Sequence, residues 1–303
     1  MTRFLDLLGR IPRPILLAFG SFLGWLVWTL RIRRRVALDN LRLAFPEKTE
    51  GERRAIARAH YRHLGQMIPD FLRVPTLSPE ALDRLFVCDT WGNLDKALAR
   101  GKGVIACTAH FGNFDLLASA NTRRGVPITM ISREMGKNPV NALWRAARIR
   151  SGVEDLVVKR GSTMRAALRA LQAGRVLGYV FDQHQPGRSV LPIFFGVPAA
   201  TASTPAYLAR KTGAAVIFTV SVPLGDGRHR LVIEGPFELP ATGDQAADDL
   251  AFMQALTDRL EHWIRLHPER WFWPHRRWKV KPEEWPADAP RRPEDVPPIG
   301  VGR

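Results

Sequence analysis

The stretch GVIACTAHFGNFDLL, residues 103–117, joins two different hydrophobic patterns. Its first part, GVIACT, is a continuous apolar run of the kind that forms a strand buried on both faces of a sheet. AHFG is then the exit from that strand, and Asn113 is a suitable N-cap for a helix that begins in FDLL. The stretch therefore predicts a strand, a short loop and a helix in succession, which is the repeating unit of an α/β fold.

Further strand-like runs occur along the chain. They are RLFVCD, VPITMIS, EDLVVK, RVLGYVF, LPIFF, AAVIFTVSV and RHRLVIE. Helical patterns fill most gaps between them, at residues 113–124, 139–151, 162–173 and 204–212, and a last helix covers about 246–266. Strands alternating with helices of this length predict an α/β fold with a mixed, largely parallel central sheet flanked by helices.

Composition restricts the class of partner without choosing one. The 303 residues are 46% hydrophobic and include 45 Lys and Arg against 29 Asp and Glu, which gives a formal charge of +16. Apolar segments spread along the chain predict one main domain, and the basic excess favours nucleic acid, an anionic membrane or an acidic protein as partner. Cys88 and Cys107 have neither metal-site nor redox-motif spacing, so we expect buried, reduced thiols.

An uncharged run near the start, PILLAFGSFLGWLVWTL at residues 14–30, precedes the basic segment RIRRR at 31–35. A helix of this run is roughly 26 Å long, slightly shorter than a ~30 Å hydrocarbon core, so it could cross a bilayer or lie in one leaflet. A buried core helix is the alternative, but Trp25 and Trp28 beside the arginines are typical of a membrane interface. The positive-inside rule places the following domain on the cytoplasmic side.

These features predict three parts of the chain. Residues 1–35 form an N-terminal membrane-anchoring helix with a basic flank. Residues 36–281 form the main domain, which begins with amphipathic helices over 36–73. Residues 282–303 are rich in proline and poor in large apolar groups, so we expect an extended or disordered tail.

His110 and Asp115 stand five positions apart at the predicted strand-to-helix junction. Within one helix this offset would separate them by roughly 140° around the axis, so they can meet only if His110 lies on the loop before the helix. Asp115 in the first helical turn could then accept one imidazole N–H and leave the other ring nitrogen as a general base. Spacing alone leaves a structural histidine at the edge of the core as the alternative.

The residues around this pair resemble a known family. AHFGNFD is similar to the His, any four, Asp or Glu motif of glycerolipid and lipid A acyltransferases, and HFGN resembles the lipid A biosynthesis lauroyl and myristoyl acyltransferases, although Asp115 stands where Glu is common. Four more blocks resemble that family in order. They are RVALDNLRLAFPEKTEGERRAIARAHYRHLG, ISREMGKNPVNALWRAARIRSG, GYVFDQHQPGRSVLPIFFGVPAATASTPAYLARKTGAAVI and HPERWFWPHRRWK.

The resemblance implies a membrane-associated O-acyltransferase with a glycerolipid acyltransferase-like fold at the cell inner membrane. The acyl donor would be a thioester of acyl carrier protein or coenzyme A, and the acceptor a hydroxyl of a lipid A precursor or related membrane glycolipid. The family's motif makes His110 the general base and Asp115 the residue that orients and stabilises its imidazolium. No cofactor is implied, and the sequence has no Gly-x-Ser-x-Gly nucleophile elbow.

Five further residues in the matching blocks are candidates for substrate binding. Arg133 suits a phosphate group, with a surface arginine as the alternative. Asn138 either orients a substrate hydroxyl or starts the helix at Pro139. Asp182 follows a strand, where α/β sheets bind ligands, and either orients Arg133, shapes the pocket or forms a turn. Gln183 and Asn113 complete the set.

Several other interpretations are weaker. A metal site of His110, Asp115, Asp182 and His184 lacks a paired-ligand spacing, and GKGVIA has its glycines before a strand, not after one. WFWPHRRW could bind single-stranded nucleic acid, but beside a membrane segment an interfacial aromatic belt or a packed closing motif is favoured. The alternative functions are an acyltransferase for a lysophospholipid, an aminolipid or a mannosylated lipid, and a non-catalytic basic membrane-bound module.

Overall fold

The computed structural model describes residues 2–133, 139–158, 162–185, 189–225, 227–291 and 294. Strands and helices alternate over most of this length. The strands are β1 (Phe86–Val87), β2 (Val104–Thr108), β3 (Ile128–Arg133), β4 (Glu154–Val158), β5 (Val176–Val180), β6 (Ile193–Phe194), β7 (Val197–Pro198), β8 (Ala215–Pro223) and β9 (His229–Phe237). The helices are α1 (Thr2–Arg10), α2 (Arg13–Thr29), α3 (Arg34–Ala44), α4 (Glu50–Arg73), α5 (Pro79–Leu85), α6 (Trp91–Leu98), α7 (Phe114–Arg123), α8 (Pro139–Arg150), α9 (Thr163–Gln172), α10 (Thr204–Thr212) and α11 (Gln245–Leu266).

A mixed sheet lies at the centre of the described chain, with the strand order β1-β9-β8-β2-β5-β3-β4. β2 is parallel to both β5 and β8, β3 is parallel to β5 and β4, and β9 is antiparallel to β8. The carboxyl ends of β8, β2, β5, β3 and β4 therefore share one edge, which is where α/β sheets bind ligands. The predicted mixed, largely parallel sheet is confirmed.

The central strand β2 is buried on both faces. Ile105 and Cys107 pack into a large core cluster with residues of α3, α4, α9, α10 and α11. Val104 and Ala106 pack on the opposite face, against residues of α6 and α7. Burial on both sides explains why this strand is continuously apolar. Both cysteines are free thiols, but Cys88, which we expected to be buried, is only partly so.

The N-terminal apolar run forms α2, which packs antiparallel along α4. Arg13 at the start of α2 pairs with Asp70 near the end of α4, with Nε 2.7 Å from Oδ1, and Trp28 near the end of α2 packs on Tyr61. Within the described residues, no single helix is long and apolar enough to cross a membrane. α1 and α2 reach that length and composition only together, as a pair bent by 107°. The helix is thus present, but the structure does not show it as a membrane span.

The described part of the predicted tail is structured. Residues Pro282–Glu284 form a short 3-10 turn, Trp285 packs against the main core, and Arg291 donates a hydrogen bond of 2.7 Å to the carbonyl of Leu43. Residues 282–291 thus contact the main domain, and an extended or disordered tail as a whole stays a prediction. The ring of Trp285 and the guanidinium of Arg291 make these contacts, and the high proline content of the tail did not indicate them.

Candidate active site

The loop after β2 carries His110 and is held by the segment that follows α11. Gly112 has φ +59°, and a Cβ at this position would lie 1.9 Å from the carbonyl oxygen of Ser221, so the close approach requires glycine. The Gly112 N–H donates to the carbonyl of Arg270, and the Phe272 N–H donates to the carbonyl of His110. The block HPERWFWPHRRWK, residues 267–279, thereby fixes the backbone that carries His110.

His110 is hydrogen-bonded to Asp182, not to Asp115. Its Nδ1 lies 2.8 Å from Oδ1 of Asp182, while Oδ2 accepts the backbone N–H of His110 at 3.0 Å and the indole N–H of Trp271 at 2.7 Å. β2 and β5 pair with Thr108 opposite Val180, so two residues further along each strand the chain brings His110 beside Asp182. The predicted hydrogen bond from His110 to Asp115 is wrong because the neighbouring strand supplies the acceptor.

Asp115 lies in the first turn of α7 and binds α8 instead. Its carboxylate accepts the indole N–H of Trp144 at 2.8 Å and the Nε–H of Arg148 at 2.6 Å. The side chain is fully buried in this ion pair. Asp115 remains close enough to favour the protonated form of His110 through space. Its role in catalysis stays a prediction, and the geometry shows an anchor between two helices.

The electrostatics of the His110 and Asp182 pair favour opposite charges. Burial alone lowers the pKa of His110, but the carboxylate of Asp182 outweighs burial, and the net result is a pKa above the ordinary value. Burial alone raises the pKa of Asp182, but the imidazole and the indole N–H bring it below its ordinary value. An ionised Asp182 therefore faces a protonated Nδ1, which puts the lone pair of neutral His110 on Nε2.

Nε2 of His110 is the ring nitrogen that is not bonded to Asp182. The side chain is 29% exposed, whereas that of Asp182 is 2% exposed. The amide nitrogen of Gln183 lies 3.4 Å from Nε2, and the rings of Phe114 and Phe272 flank the imidazole. An accessible imidazole nitrogen whose opposite nitrogen is bonded to a buried carboxylate is the arrangement of a general base.

The segment after β5 is held in place by His275. Nε2 of His275 accepts the backbone N–H of His184 at 3.1 Å, and burial lowers the pKa of His275 to about 4, so it is a neutral acceptor at physiological pH. Sequence reasoning missed Trp271 and His275 as site residues. It considered their block as an aromatic belt or a packed closing motif, and the packed motif is confirmed, since the indoles of Trp271, Trp273 and Trp278 are buried.

The remaining predicted residues have mixed outcomes. Asn113 is the N-cap residue of α7, as predicted, but its side chain makes no capping hydrogen bond. Instead, Nδ2 of Asn113 donates to the carbonyl of Met67. The buried Oδ1 has no hydrogen-bond partner among the described residues. Arg133 ends β3 at the same sheet edge. Its side chain and all of Asn138 lie outside the described residues, so both roles stay predictions.

The structure also bears on the weaker metal hypothesis. Within the part of the chain that the structure describes, no group of three or more His, Cys, Asp or Glu side chains is arranged to hold a metal ion. His184, which was one of the four candidate ligands, contacts His275 through its backbone, and its buried Nδ1 has no partner among the described residues. The carboxylate of Asp115 is bonded to Trp144 and Arg148, and that of Asp182 to His110 and Trp271.

An apolar cavity lies between α7 and the sheet, directly below the His110 loop. Its lining includes Thr108, Phe114, Ala118, Met130 and Gly178. Phe114 also packs on the ring of His110, with the ring centres 5.4 Å apart, so the cavity and the histidine share a wall. The volume of the cavity is ≈ 30 Å³, far below the ~300–1,000 Å³ of a ligand pocket, so it has room for no more than the last carbons of an aliphatic chain.

Comparison with known proteins supports one family. The family of bacterial lipid A biosynthesis acyltransferases matches residues 2–280. The chain is 26% identical over 278 residues to the lipid A biosynthesis palmitoleoyltransferase of Escherichia coli K12, covering 90% of this chain and 88% of the relative. It is 26% identical over 284 residues to the lauroyltransferase of the same organism, covering 93% and 90%. It is 28% identical over 211 residues to the phosphatidylinositol mannoside acyltransferase of Mycobacterium tuberculosis, covering 68% and 65%.

The family match extends over nearly the whole chain, and it includes the histidine motif and the four ordered blocks that surround it. The resemblance inferred from those blocks is confirmed. The relatives are named as acyltransferases, and the chain carries a partly exposed imidazole at the carboxyl edge of its sheet. The chain belongs to the bacterial lipid A biosynthesis acyltransferase family and is an O-acyltransferase.

Proposed function

We propose that this protein transfers a fatty acyl chain from an acyl thioester to a hydroxyl of a lipid A precursor or a related glycolipid at the inner membrane. The observation that carries the proposal is the geometry of His110, with Nδ1 on the buried Asp182 and Nε2 open at the ligand-binding edge of the sheet. Family membership restricts the chemistry to acyl transfer. The acceptor class follows from relatives named for lipid A and for phosphatidylinositol mannoside.

The reaction proceeds by general base catalysis. Nε2 of His110 takes the proton of the acceptor hydroxyl while the oxygen attacks the thioester carbonyl. Asp182 stays ionised and stabilises the imidazolium. When the tetrahedral intermediate collapses, the C–S bond breaks and the imidazolium returns the proton to the departing sulfur. One C–O bond replaces one C–S bond, and the hydroxyl proton ends on the thiol, so no acyl-enzyme is required.

The developing oxyanion needs hydrogen-bond donors. The amide nitrogen of Gln183 is placed next to the reacting nitrogen of His110, and α7 begins immediately after the loop, with the positive end of its dipole at the site. We assign the Gln183 amide and the first N–H groups of α7 to oxyanion stabilisation. Arg133, at the same sheet edge, is assigned to a phosphate of the donor arm or of the acceptor lipid.

Acyl carrier protein is the donor that we propose from the family resemblance, and the formal charge of +16 is compatible with an acidic protein partner. The apolar cavity beside Phe114 is assigned to the far end of the acyl chain. Mass spectrometry of lipids from the producing cell, with and without this protein, tests the acceptor. Loss of one acyl chain from lipid A alone supports a lipid A precursor, while loss from a mannosylated lipid supports the alternative acceptor.

The base is tested by His110→Ala in the purified protein. We expect acyl transfer from a thioester to fall by ~10²- to 10⁴-fold, the usual contribution of general acid–base catalysis. His262→Ala removes an exposed imidazole from α11 and is the matched control, which should keep full activity. Full activity of the His110 variant, measured by mass spectrometry of the acylated product, would rule out the mechanism.

A further inference from the structure

α1 and α2 carry large apolar side chains on a face that no described residue covers. The buried positions of α2 recur once per turn at Leu16, Gly20, Gly24 and Trp28. The outward face of the two helices exposes between 39% and 59% of each large apolar side chain, at Phe4, Leu7, Ile15, Phe19, Phe22, Leu23 and Trp25. A group of exposed large apolar side chains on two successive helices marks an interaction site.

The opposite face of α2 is in backbone contact with α4. A Cβ added at Gly20 would lie 2.4 Å from the carbonyl oxygen of Gly65, and one added at Gly24 would lie 2.1 Å from the carbonyl oxygen of Tyr61. Trp28 packs edge-on against Tyr61 one turn further along. Together with the Arg13 ion pair at the other end, these contacts attach α2 to α4 along the whole length of α2.

α4 is in turn part of the catalytic domain. The guanidinium of Arg270 lies 2.8 Å from Nδ1 of His63, and the carbonyl of Arg270 accepts the N–H of Gly112 beside the catalytic histidine. α4 also presents three exposed arginines, at Arg54, Arg58 and Arg62. If α2 crossed a bilayer, α4 would have to enter the hydrocarbon with it, and arginines are strongly disfavoured there. The lipid can therefore contact α2 only on its outward face.

Basic side chains border the apolar face at the end of α2. The chain turns into α3 through Arg31 and Arg33, which have φ values of +59° and +51°. Arg31 and Arg35 are exposed at this turn, and the side chain of Arg35 is 84% exposed. Apolar groups beside arginines complement an anionic membrane surface, which offers acyl chains below and phosphates above.

We propose that α1 and α2 dock this protein on one leaflet of an anionic bilayer and do not cross it. The outward apolar face sinks ~5–10 Å to the boundary of the acyl chains, and Arg31 and Arg35 lie among the lipid phosphates. α2 and α4 then both lie between the acyl chains and the His110 loop, so the loop is held on the side of these helices that faces away from the hydrocarbon. The docking proposal rests on the proposed function and adds the side of the protein from which an acceptor hydroxyl reaches His110.

The docking surface is tested with the full-length protein and vesicles of phosphatidylethanolamine and phosphatidylglycerol. We expect Phe19→Gln with Phe22→Gln to weaken vesicle binding by at least ~10-fold, and Arg31→Gln with Arg35→Gln to weaken it by ~10- to 25-fold. The matched control, Arg165→Gln with Arg169→Gln, removes the same charge from exposed positions on α9 and should change binding by less than ~2-fold. Equal losses in both arginine pairs would overturn the assignment of the surface.

Crossing is tested by thiol labelling in spheroplasts of a bacterial host. Arg3→Cys, Arg10→Cys and Arg31→Cys are each combined with Cys88→Ser and treated with a membrane-impermeant maleimide. One-leaflet docking predicts that none of the three positions reacts in intact spheroplasts and that all react after permeabilisation. Labelling of Arg3→Cys or Arg10→Cys in intact spheroplasts would show that α2 crosses and would overturn the proposal.

Neither readout depends on catalysis, so failure of the docking proposal is distinct from failure of the proposed function. Acyl transfer in detergent micelles is measured on the same variants and should stay within ~2-fold of the unchanged protein, because these side chains lie outside the site. If the apolar face mediates self-association instead, Phe19→Gln with Phe22→Gln will convert a dimer to a monomer in detergent-free solution without changing vesicle binding.

Discussion

The most informative single residue is Asp182, because its carboxylate fixes both the tautomer and the pKa of His110. A general base works only when deprotonated, so the transfer rate rises as pH increases through the raised pKa of His110. Asp182→Asn removes the charge that raises this pKa, and burial then dominates. We expect kcat/KM to fall by ~10²- to 10⁴-fold and its rising limb to move to lower pH, measured as a pH–rate profile. An unmoved limb would contradict the pairing.

Substitution of Asp115 should have a different effect from substitution of Asp182, because the carboxylate of Asp115 holds α8 through Trp144 and Arg148. Asp115→Asn weakens a buried ion pair, while Arg148 keeps a second carboxylate, Asp155, at 3.5 Å. We expect the free energy of unfolding to fall by about 2 kcal/mol, measured by urea denaturation at pH 7. The rising limb of kcat/KM should move to lower pH by less than in Asp182→Asn. A larger shift would return Asp115 to the role predicted from the motif.

These two residues show how far the site could be predicted from the sequence. The motif identified His110, and the junction argument correctly placed it on the loop before α7. Asp182 was named as a site residue, but its partner was not, because the pairing depends on β5 lying beside β2. Local patterns predict that a strand exists without specifying its neighbour. His275 and Trp271 were missed for the same reason, since they reach the site from the end of the chain.

At the scale of elements, each of the eight apolar runs contains a strand of the structure. The pattern of apolar residues that predicts a strand is a property of a few consecutive residues, so it can be read from the sequence. The order of those strands, and the antiparallel pairing of β9 on β8, are set by packing between distant segments. The N-terminal run shows the limit most clearly. Its composition allowed a span, but Gly20 and Gly24 meet α4 at backbone distance, which composition could not indicate.

The cavity between α7 and the sheet predicts control of acyl-chain length. Met130 lines this cavity, and a Cβ at Gly178 would lie 2.2 Å from its sulfur. Met130→Ala lengthens the cavity, so the preference between donors that differ by two carbons should shift ~10-fold toward the longer chain. Gly178→Ala narrows the same place and should shift it toward the shorter chain. Competition assays with mixed acyl thioesters measure both, and shifts in one common direction would exclude the cavity as the acyl site.

At the scale of the whole molecule, the formal charge of +16 has two proposed partners, the lipid surface at α1 and α2 and an acidic carrier protein near the catalytic edge. Lys279 marks the second surface. It is exposed, and its charge contributes to lowering the pKa of both His184 and His275, which places it close to the site. Lys102, by contrast, is an exposed lysine just before β2, at the amino edge of the sheet.

This difference in position gives a matched pair of charge reversals. Exposed charges at the rim of an interface act mainly on encounter, so Lys279→Glu should raise KM for an acyl carrier protein thioester by ~3- to 10-fold while kcat stays constant. Lys102→Glu makes the same change in net charge at the opposite edge and should leave KM within ~2-fold. Salt screens such interactions, so KM of the unchanged protein should rise between low and physiological ionic strength, while KM for a neutral acyl-pantetheine should not. Equal effects of the two reversals would mean that the donor responds only to overall charge, whereas a selective effect of Lys279→Glu would place the carrier protein on the rim beside His184.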